Sequence, residues 1–441
     1  MLKYKIFSFI VFIVFCGKFA ASAGLQRDRR QESARDQDDE TREPVKYDGA
    51  QLWRIPISNE VERNAVAELE TKYDGLKWKT VENRVDIMID KSARESARSY
   101  LQNSNITYRI LIDDLQKLIE VENPPKEEIE LLQNRKGHRL TWKAYHNFND
   151  IVGYLDYLAK TYPDLCSVQT IGTTHEGRAL KLLKISNGHP ANEAIWIDGG
   201  IHAREWISPA VTTYIINHLV ENWEELPSYL KNIDWHILPV LNPDGYDYSQ
   251  KFNRLWRKNR SRNPGSNCRG VDLNRNYGYM WGGEGTSSNP CSEVYRGKGA
   301  FSEPETAAVQ NFITSQRKGD YFKAFLTFHS YGQYILYPWG YSKAITPDNN
   351  DMKLAGTQAA TAIRNGSGAT YQVGPAAILL YPAAGGSDDW AKGTMGIKYS
   401  FTVELRDTGR YGFILPASYI EQSGQEAFNF VDAMARSVTI L

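Results

Sequence analysis

Two short stretches of the 441-residue chain carry side chains able to hold a divalent metal and activate water. His202-Ala203-Arg204-Glu205 offers an imidazole nitrogen and a carboxylate three residues apart, a donor pair suited to zinc. On its own His-x-x-Glu is a weak signal, and the chain holds a second copy in His218-Leu219-Val220-Glu221. His218 falls on the apolar stripe Val211, Tyr214, Ile215 and Leu219 of a helix that Ser208-Pro209 can start, so it reads as a packing residue. His202 differs, because it leaves an apolar strand through the turn Gly199-Gly200, where its ring can face a crevice. A third donor must come from another strand end, and Thr327-Phe328-His329-Ser330-Tyr331 places His329 there. Two histidines and a glutamate leave the fourth tetrahedral position to water, the arrangement of a catalytic rather than a structural zinc. His138, His146, His175, His189 and His236 have no such placement and read as surface or core residues.

The elements that must hold these donors are an alternation of strands and helices. Beyond Thr141, apolar strands are expected at 194–198, 235–241, 323–328 and 399–403, separated by amphipathic helices, which is the α/β signature. Each runs directly into a polar cluster, and the ligand crevice of an open α/β sheet lies beyond the carboxyl ends of its strands. Upstream, strands at 51–55, 85–89 and 108–112 alternate with helical stretches at 60–71 and 91–102, a small α+β unit that ends near Glu122. Asn123-Pro124-Pro125 opens an acidic helix, Lys126 to Leu132, and Asn134-Arg135-Lys136-Gly137-His138-Arg139 follows as an exposed basic stretch open to a protease specific for Lys or Arg.

Composition narrows the function classes. Lys plus Arg and Asp plus Glu both total 52, so no net field attracts nucleic acid or an anionic membrane, and neither is expected as a partner. Hydrophobic residues at 41% and aromatics at 12% supply a packed core. Lys3 and Lys5, the apolar run Ile6 to Cys16 and Ala21-Ser22-Ala23 form a cleavable secretory signal, since 11 apolar residues fall short of the ~20 that span a membrane. Residues 25–43 carry 12 charged side chains and no aromatic, which marks a solvated linker. The expected plan is a signal at 1–23, the charged linker at 24–44, the α+β unit at 45–122, a connector at 123–140 and the large α/β domain at 141–441. A secreted, extracellular chain lets Cys268 and Cys291 pair, Cys16 leaving with the signal and Cys166 remaining a buried thiol. Closing that loop would stabilise the fold by about 3 kcal/mol in the chain-entropy picture.

Six motifs in one order now resemble the zinc metallocarboxypeptidases of the pancreatic A/B family, in pro-enzyme form. They are His202 to Ile207, Arg254 to Lys258, Asp272 to Asn276, His329-Ser330-Tyr331, Leu380 to Ala383, and Phe401 to Gly412. The resemblance implies a mixed central sheet flanked by helices and preceded by an inhibitory pro-domain, with one zinc ion on His202, Glu205 and His329. It implies that Arg275 and Asn274 grip a free C-terminal carboxylate and that Glu404 exchanges protons with the attacking water and the leaving amine. Arg257 would stabilise the oxyanion, Tyr381 would close over the bound terminus on a loop freed by Gly385-Gly386, and Asp272 would orient the ring of His202. Arg204 and Tyr331 would assist substrate binding further out.

The family also implies that the position of Asp388 lies at the base of the specificity pocket, apolar in A-type enzymes and Asp in B-type ones. Preference for C-terminal Arg or Lys is therefore expected, although Gly340 matches the A type and Ala376 neither. The alternatives are an A-type preference for aliphatic or aromatic ends and an inactive, peptide-binding relative. The expected partners are peptide or protein C-termini and an activating trypsin-like protease cutting at Arg135, Lys136 or Arg139, acting on a monomer. Asn105, Asn259 and Asn365 head Asn-x-Ser/Thr sequons.

Overall fold

Alternation at period two lets one small sheet bury two faces at once. A computed structural model describes residues 43–81, 83–132, 137–316 and 320–439, and from Lys46 onward the chain is one compact unit. The expected signal, the linker up to residue 42, and the cleavage candidates Arg135 and Lys136 lie outside the described residues. Strands β1 (Gln51–Pro56), β2 (Leu76–Val81), β3 (Arg84–Ile89) and β4 (Arg109–Ile112) form an antiparallel sheet in the order β2-β3-β1-β4. Trp53, Ile55, Val85 and Ile87 point to one face and pack there with Val66, Leu69 and Leu101 of the helices Glu60–Lys72 and Arg94–Asn103. The first helix starts at Asn59, whose side chain accepts the Glu62 N–H at 2.9 Å while the Glu62 carboxylate returns to the Asn59 N–H. Leu52 and Met88 point to the other face, which joins Tyr47, Trp78, Ile112 and Leu115 to Leu255, Tyr331, Phe413 and Ile414 of the large domain. The sequence reading omits β2, because Lys77 and Lys79 flanking Trp78 make this edge strand look polar.

The large domain holds an eight-stranded mixed sheet in the order β11-β10-β12-β9-β7-β8-β6-β5. Its strands are β5 (Cys166–Thr173), β6 (Ala179–Ile185), β7 (Glu193–Gly199), β8 (Ile233–Leu238), β9 (Phe322–His329), β10 (Tyr334–Tyr337), β11 (Gln372–Pro375) and β12 (Tyr399–Glu404). The central four, β12, β9, β7 and β8, are parallel and covered on both faces, which is why they read as continuous apolar runs. Ile195, Ile197, Trp235, Ile237 and Leu326 face Val211 and Ile215 of the helix Ile207–Glu221 and Phe430 of the helix Ile420–Thr439. Ala194, Trp196, Leu238 and Phe325 face Val309, Phe312 and Trp390 on the opposite side.

One strand runs differently from expectation: β8 covers 233–238 rather than 235–241, because Pro239 has no N–H to continue the ladder. Register sets the rest. Glu404 at the end of β12 is the direct partner of His329 at the end of β9, and Gly199 at the end of β7 is opposite Phe328. Three neighbouring parallel strands thus deliver chemistry to one edge.

Candidate active site

The turn after β7 decides where His202 goes. Gly200 has φ +65°, and a Cβ there would stand 2.9 Å from the ring of Pro209, so only glycine fits. Ser208 Oγ accepts the Gly200 N–H at 2.8 Å and donates to the Phe328 carbonyl at 2.6 Å, pinning the turn to the end of β9. His202 Nδ1 then lies 2.9 Å from Glu205 Oε1, and His329 Nδ1 lies 3.2 Å from both His202 Nδ1 and Glu205 Oε2. All three residues are buried, and their donor atoms all fall within 4.8 Å of one another.

The chemistry of this set calls for a cation. Asp272 Oδ1 lies 3.1 Å from His202 Nε2. Despite burial, Arg257 and Arg275 hold the Asp272 carboxyl well below the usual carboxylate range, so it accepts and Nε2 carries the proton. His202 Nδ1 is left with a lone pair 2.9 Å from the Glu205 carboxylate. Acceptors facing one another in a dry pocket repel unless a positive ion lies between them. His202, Glu205 and His329 therefore fit a bound zinc.

The cleft beside this trio is lined by Arg257, Asn274, Arg275, Tyr331, Tyr381, Asp388 and Glu404, so the structure brings these sequence-derived candidates together. Arg257 places Nε and Nη2 at 3.1 and 2.9 Å from Asp272 Oδ2, so one carboxylate fixes both His202 and Arg257. Arg275 donates to the carbonyls of Gly285 and Asn274 and has no carboxylate at ion-pair distance among the described residues. Asn274 Oδ1 accepts the Ser387 N–H at 2.9 Å. Tyr381, 38% exposed, stands at the rim. Arg204 is set back from the cleft, buried with its guanidinium over Phe413 and Nη1 3.2 Å from Glu293.

Asp388 is buried at the cleft floor, accepting from the Asp389 N–H at 2.9 Å and from Thr402 Oγ1 at 3.0 Å. Asp389 beside it takes the N–H groups of Gly340 and Tyr341, each at 2.8 Å. Burial raises the pKa of both acids, and the Asp388 charge raises Asp389 further.

One sequence expectation changes. Gly385 has φ +75° and a Cβ there would lie 2.5 Å from the Arg275 carbonyl, so glycine at this position serves close packing under Arg275 rather than loop freedom. Asn259 is fully buried with Nδ2 donating to Glu303 at 2.8 Å and Glu305 at 3.1 Å, which closes that sequon to a glycan, whereas Asn105 and Asn365 are exposed. Cys268 and Cys291 are disulfide-bonded, and burial pushes the free Cys166 thiol up to about 12. His218 is half-buried against Phe428, away from the trio.

Sequence reasoning missed the groups that the small domain brings to this cleft. Lys79 of β2 lies 3.4 Å from Glu404 Oε2 and donates to the Tyr331 carbonyl. The Tyr331 hydroxyl donates to Asp86 at 2.9 Å, and Asp86 is held by Arg54 through two hydrogen bonds of 2.6 and 2.8 Å. Glu122 is buried against Arg254 with hydrogen bonds of 2.7 and 2.5 Å, and its carbonyl accepts the Ala417 N–H at 2.7 Å.

Residues 151–430 match the family model "Zinc carboxypeptidase", and residues 53–122 match "Carboxypeptidase activation peptide". This chain belongs to the zinc carboxypeptidase family. It is a metallocarboxypeptidase, a hydrolase, and its matched activation peptide makes it a pro-enzyme. Carboxypeptidase A4 of Mus musculus is 43% identical over 393 residues, 87% of this chain and 92% of that protein. Carboxypeptidase B of Astacus astacus is 44% identical over 301 residues, 68% of this chain and 98% of that protein. The crystal structure of thrombin activatable fibrinolysis inhibitor superposes with a TM-score of 0.82 at 35% identity, covering 89% of this chain and 99% of that one. Carboxypeptidase relatives thus carry both A and B names. Among the described residues, no helix is long and apolar enough to cross a membrane.

Proposed function

We propose that this carboxypeptidase is a secreted, monomeric zymogen that, once a trypsin-like protease has cut between 134 and 140, removes C-terminal Arg or Lys from peptides and proteins. In this reading residues 45–122 are the inhibitory pro-domain and the chain from 141 is the mature enzyme. The observation that carries the specificity is Asp388: a buried carboxylate at the cleft floor whose contacts are a backbone N–H and a hydroxyl, with no cation supplied by the chain among the described residues. A substrate guanidinium or ammonium would provide the missing counter-charge.

One zinc ion held by His202, Glu205 and His329 would supply Lewis acidity, giving a water nucleophilic character near neutral pH. Arg275, whose guanidinium has no carboxylate at ion-pair distance among the described residues, takes the free carboxylate of the substrate, with the Asn274 amide beside it, and this makes the enzyme an exopeptidase. Glu404 receives a proton from the attacking water at its carboxylate and returns it to the nitrogen of the departing residue. Arg257, oriented by Asp272, donates to the carbonyl oxygen as negative charge builds there. Tyr381 covers the bound end and excludes water.

A second reading, an A-type preference, is favoured by the apolar walls Leu336, Ala376 and Leu380 of the same cleft. The activated enzyme is to be offered matched peptides ending in Arg, Lys, Phe or Leu, each with a free or amidated C-terminus, with and without chelator. Release of Arg and Lys from free ends alone, abolished by chelation and restored by zinc, is expected. Faster release of Phe or Leu would replace the basic reading with the second one, and hydrolysis that survives metal removal would refute the metal assignment.

A further inference from the structure

β2 and β3 of the pro-domain hold one tyrosine of the cleft by both ends. Lys79 and Asp86 are direct cross-strand partners. Lys79 donates to the Tyr331 carbonyl, while Asp86 accepts from the Tyr331 hydroxyl. This grip fixes the Lys79 ammonium 3.4 Å from Glu404 Oε2, with the faces of Tyr334 and Tyr331 at 4.9 and 5.3 Å. The two side chains of the ion pair are 13% and 16% exposed, so water screens them poorly. Gly332, at φ +148°, leaves room here: a Cβ would crowd the Tyr334 ring at 2.7 Å as well as the Lys79 ammonium.

We propose that Lys79 silences the enzyme by engaging the Glu404 carboxylate, over and above the bulk with which the pro-domain covers the cleft. The inference rests on Glu404 being the proton-transfer group. In the zymogen that carboxylate is occupied as the acceptor of an ammonium and is withheld from the attacking water. Bulk alone does not fill the site, since the cleft persists beneath the pro-domain, walled by Trp78, Lys79 and Thr80 on one side and by Arg257, Arg275 and Asp388 on the other.

The test uses intact zymogens, wild-type, Lys79→Met and Lys79→Arg, verified uncut by mass. Each is assayed on an N-acylated dipeptide ending in Arg and on a long peptide with the same end. The internal control is built in, because position 79 departs with the pro-domain and all three activated enzymes are chemically identical. Uncut Lys79→Met should hydrolyse the dipeptide at least tenfold faster than wild type through kcat, remain slow on the long peptide, and match wild type in melting temperature; Lys79→Arg should stay silent. A parallel arm measures labelling of Glu404 by a water-soluble carbodiimide, which should be several-fold faster in Lys79→Met than in wild-type zymogen. A silent Lys79→Met zymogen with an active mature form, or equal labelling rates, would show that bulk alone inhibits. Activity of Lys79→Met on both substrates, or equal activity of Lys79→Arg, would assign the effect to loosened docking. If the mature enzymes are themselves inactive, the proposed function fails, and the labelling arm still decides whether Lys79 guards the carboxylate.

Discussion

Replacing Asp388 with alanine in the mature enzyme tests the specificity reading at its root. The carboxylate has two neutral donors, the Asp389 N–H and Thr402 Oγ1, and a second acid next to it, so a bound Arg side chain would be its sole full counter-charge among the described residues. Removing one partner of a buried charge pair costs about 2–5 kcal/mol. At 1.4 kcal/mol per decade this is roughly a 30-fold to few-thousand-fold loss in kcat/KM on a peptide ending in Arg. The same change lifts a desolvation penalty from apolar ends, so the rate on a peptide ending in Phe should rise. Burial raises the Asp388 pKa, and the cation needs the ionised form, so the wild-type preference for Arg over Phe should grow as pH rises through that ionisation. The assay is kcat/KM on paired Arg- and Phe-ended peptides across pH, for wild type, Asp388→Ala and the near-isosteric Asp388→Asn. A loss below threefold on Arg, or an equal loss on Phe, would refute the counter-charge reasoning.

Glu404→Gln should lower turnover by roughly 10²-fold or more while metal content, read by elemental analysis, stays at one zinc per chain; near-normal turnover would exclude its proton-transfer role. Glu305 is pushed up to about 8, chiefly by burial, from an ordinary value of 4.5. Between those values the folded state keeps a proton that the unfolded chain releases, so wild-type stability should fall with rising pH relative to Glu305→Gln, by up to about 1.4 kcal/mol per pH unit; parallel melting curves from pH 5 to 8 would refute this. Mild trypsin treatment should create a new N-terminus between 134 and 140, after Arg135 with Lys136 and the exposed Arg139 as rivals; full activity of the uncut chain would overturn latency.

What could be read in the sequence is what sits at the ends of strands. His329 follows an apolar run directly and His202 leaves one through the Gly199-Gly200 turn, so local pattern plus one rule of sheet architecture locates both, whereas Glu404 is named through the family resemblance and the parallel register shows it beside His329. The cation that faces Glu404 could not be found this way. Lys79 lies 325 positions away, on a strand whose own lysines hide its pattern, and Asp86 meets Tyr331 across 245. Docking between two folded surfaces leaves no periodicity in either. Asn259 shows the same limit from the other side, since a sequon states a chemistry and only packing against Glu303 and Glu305 shows that it is closed.

The ties between pro-domain and enzyme described above, at Lys79, Asp86 and Glu122, all precede the connector. A cut at the proposed 134–140 would leave every one of them intact and change only the molecularity of the contact, from tethered to free. The released segment would then be a ligand at its own product's concentration, and its departure would obey dilution and a dissociation rate rather than the protease. Cleaved protein kept crowded would stay silent, and the same protein spread into a larger volume would awaken after a lag. The delay between cut and activity would thus be set by where the molecule is when the cut is made.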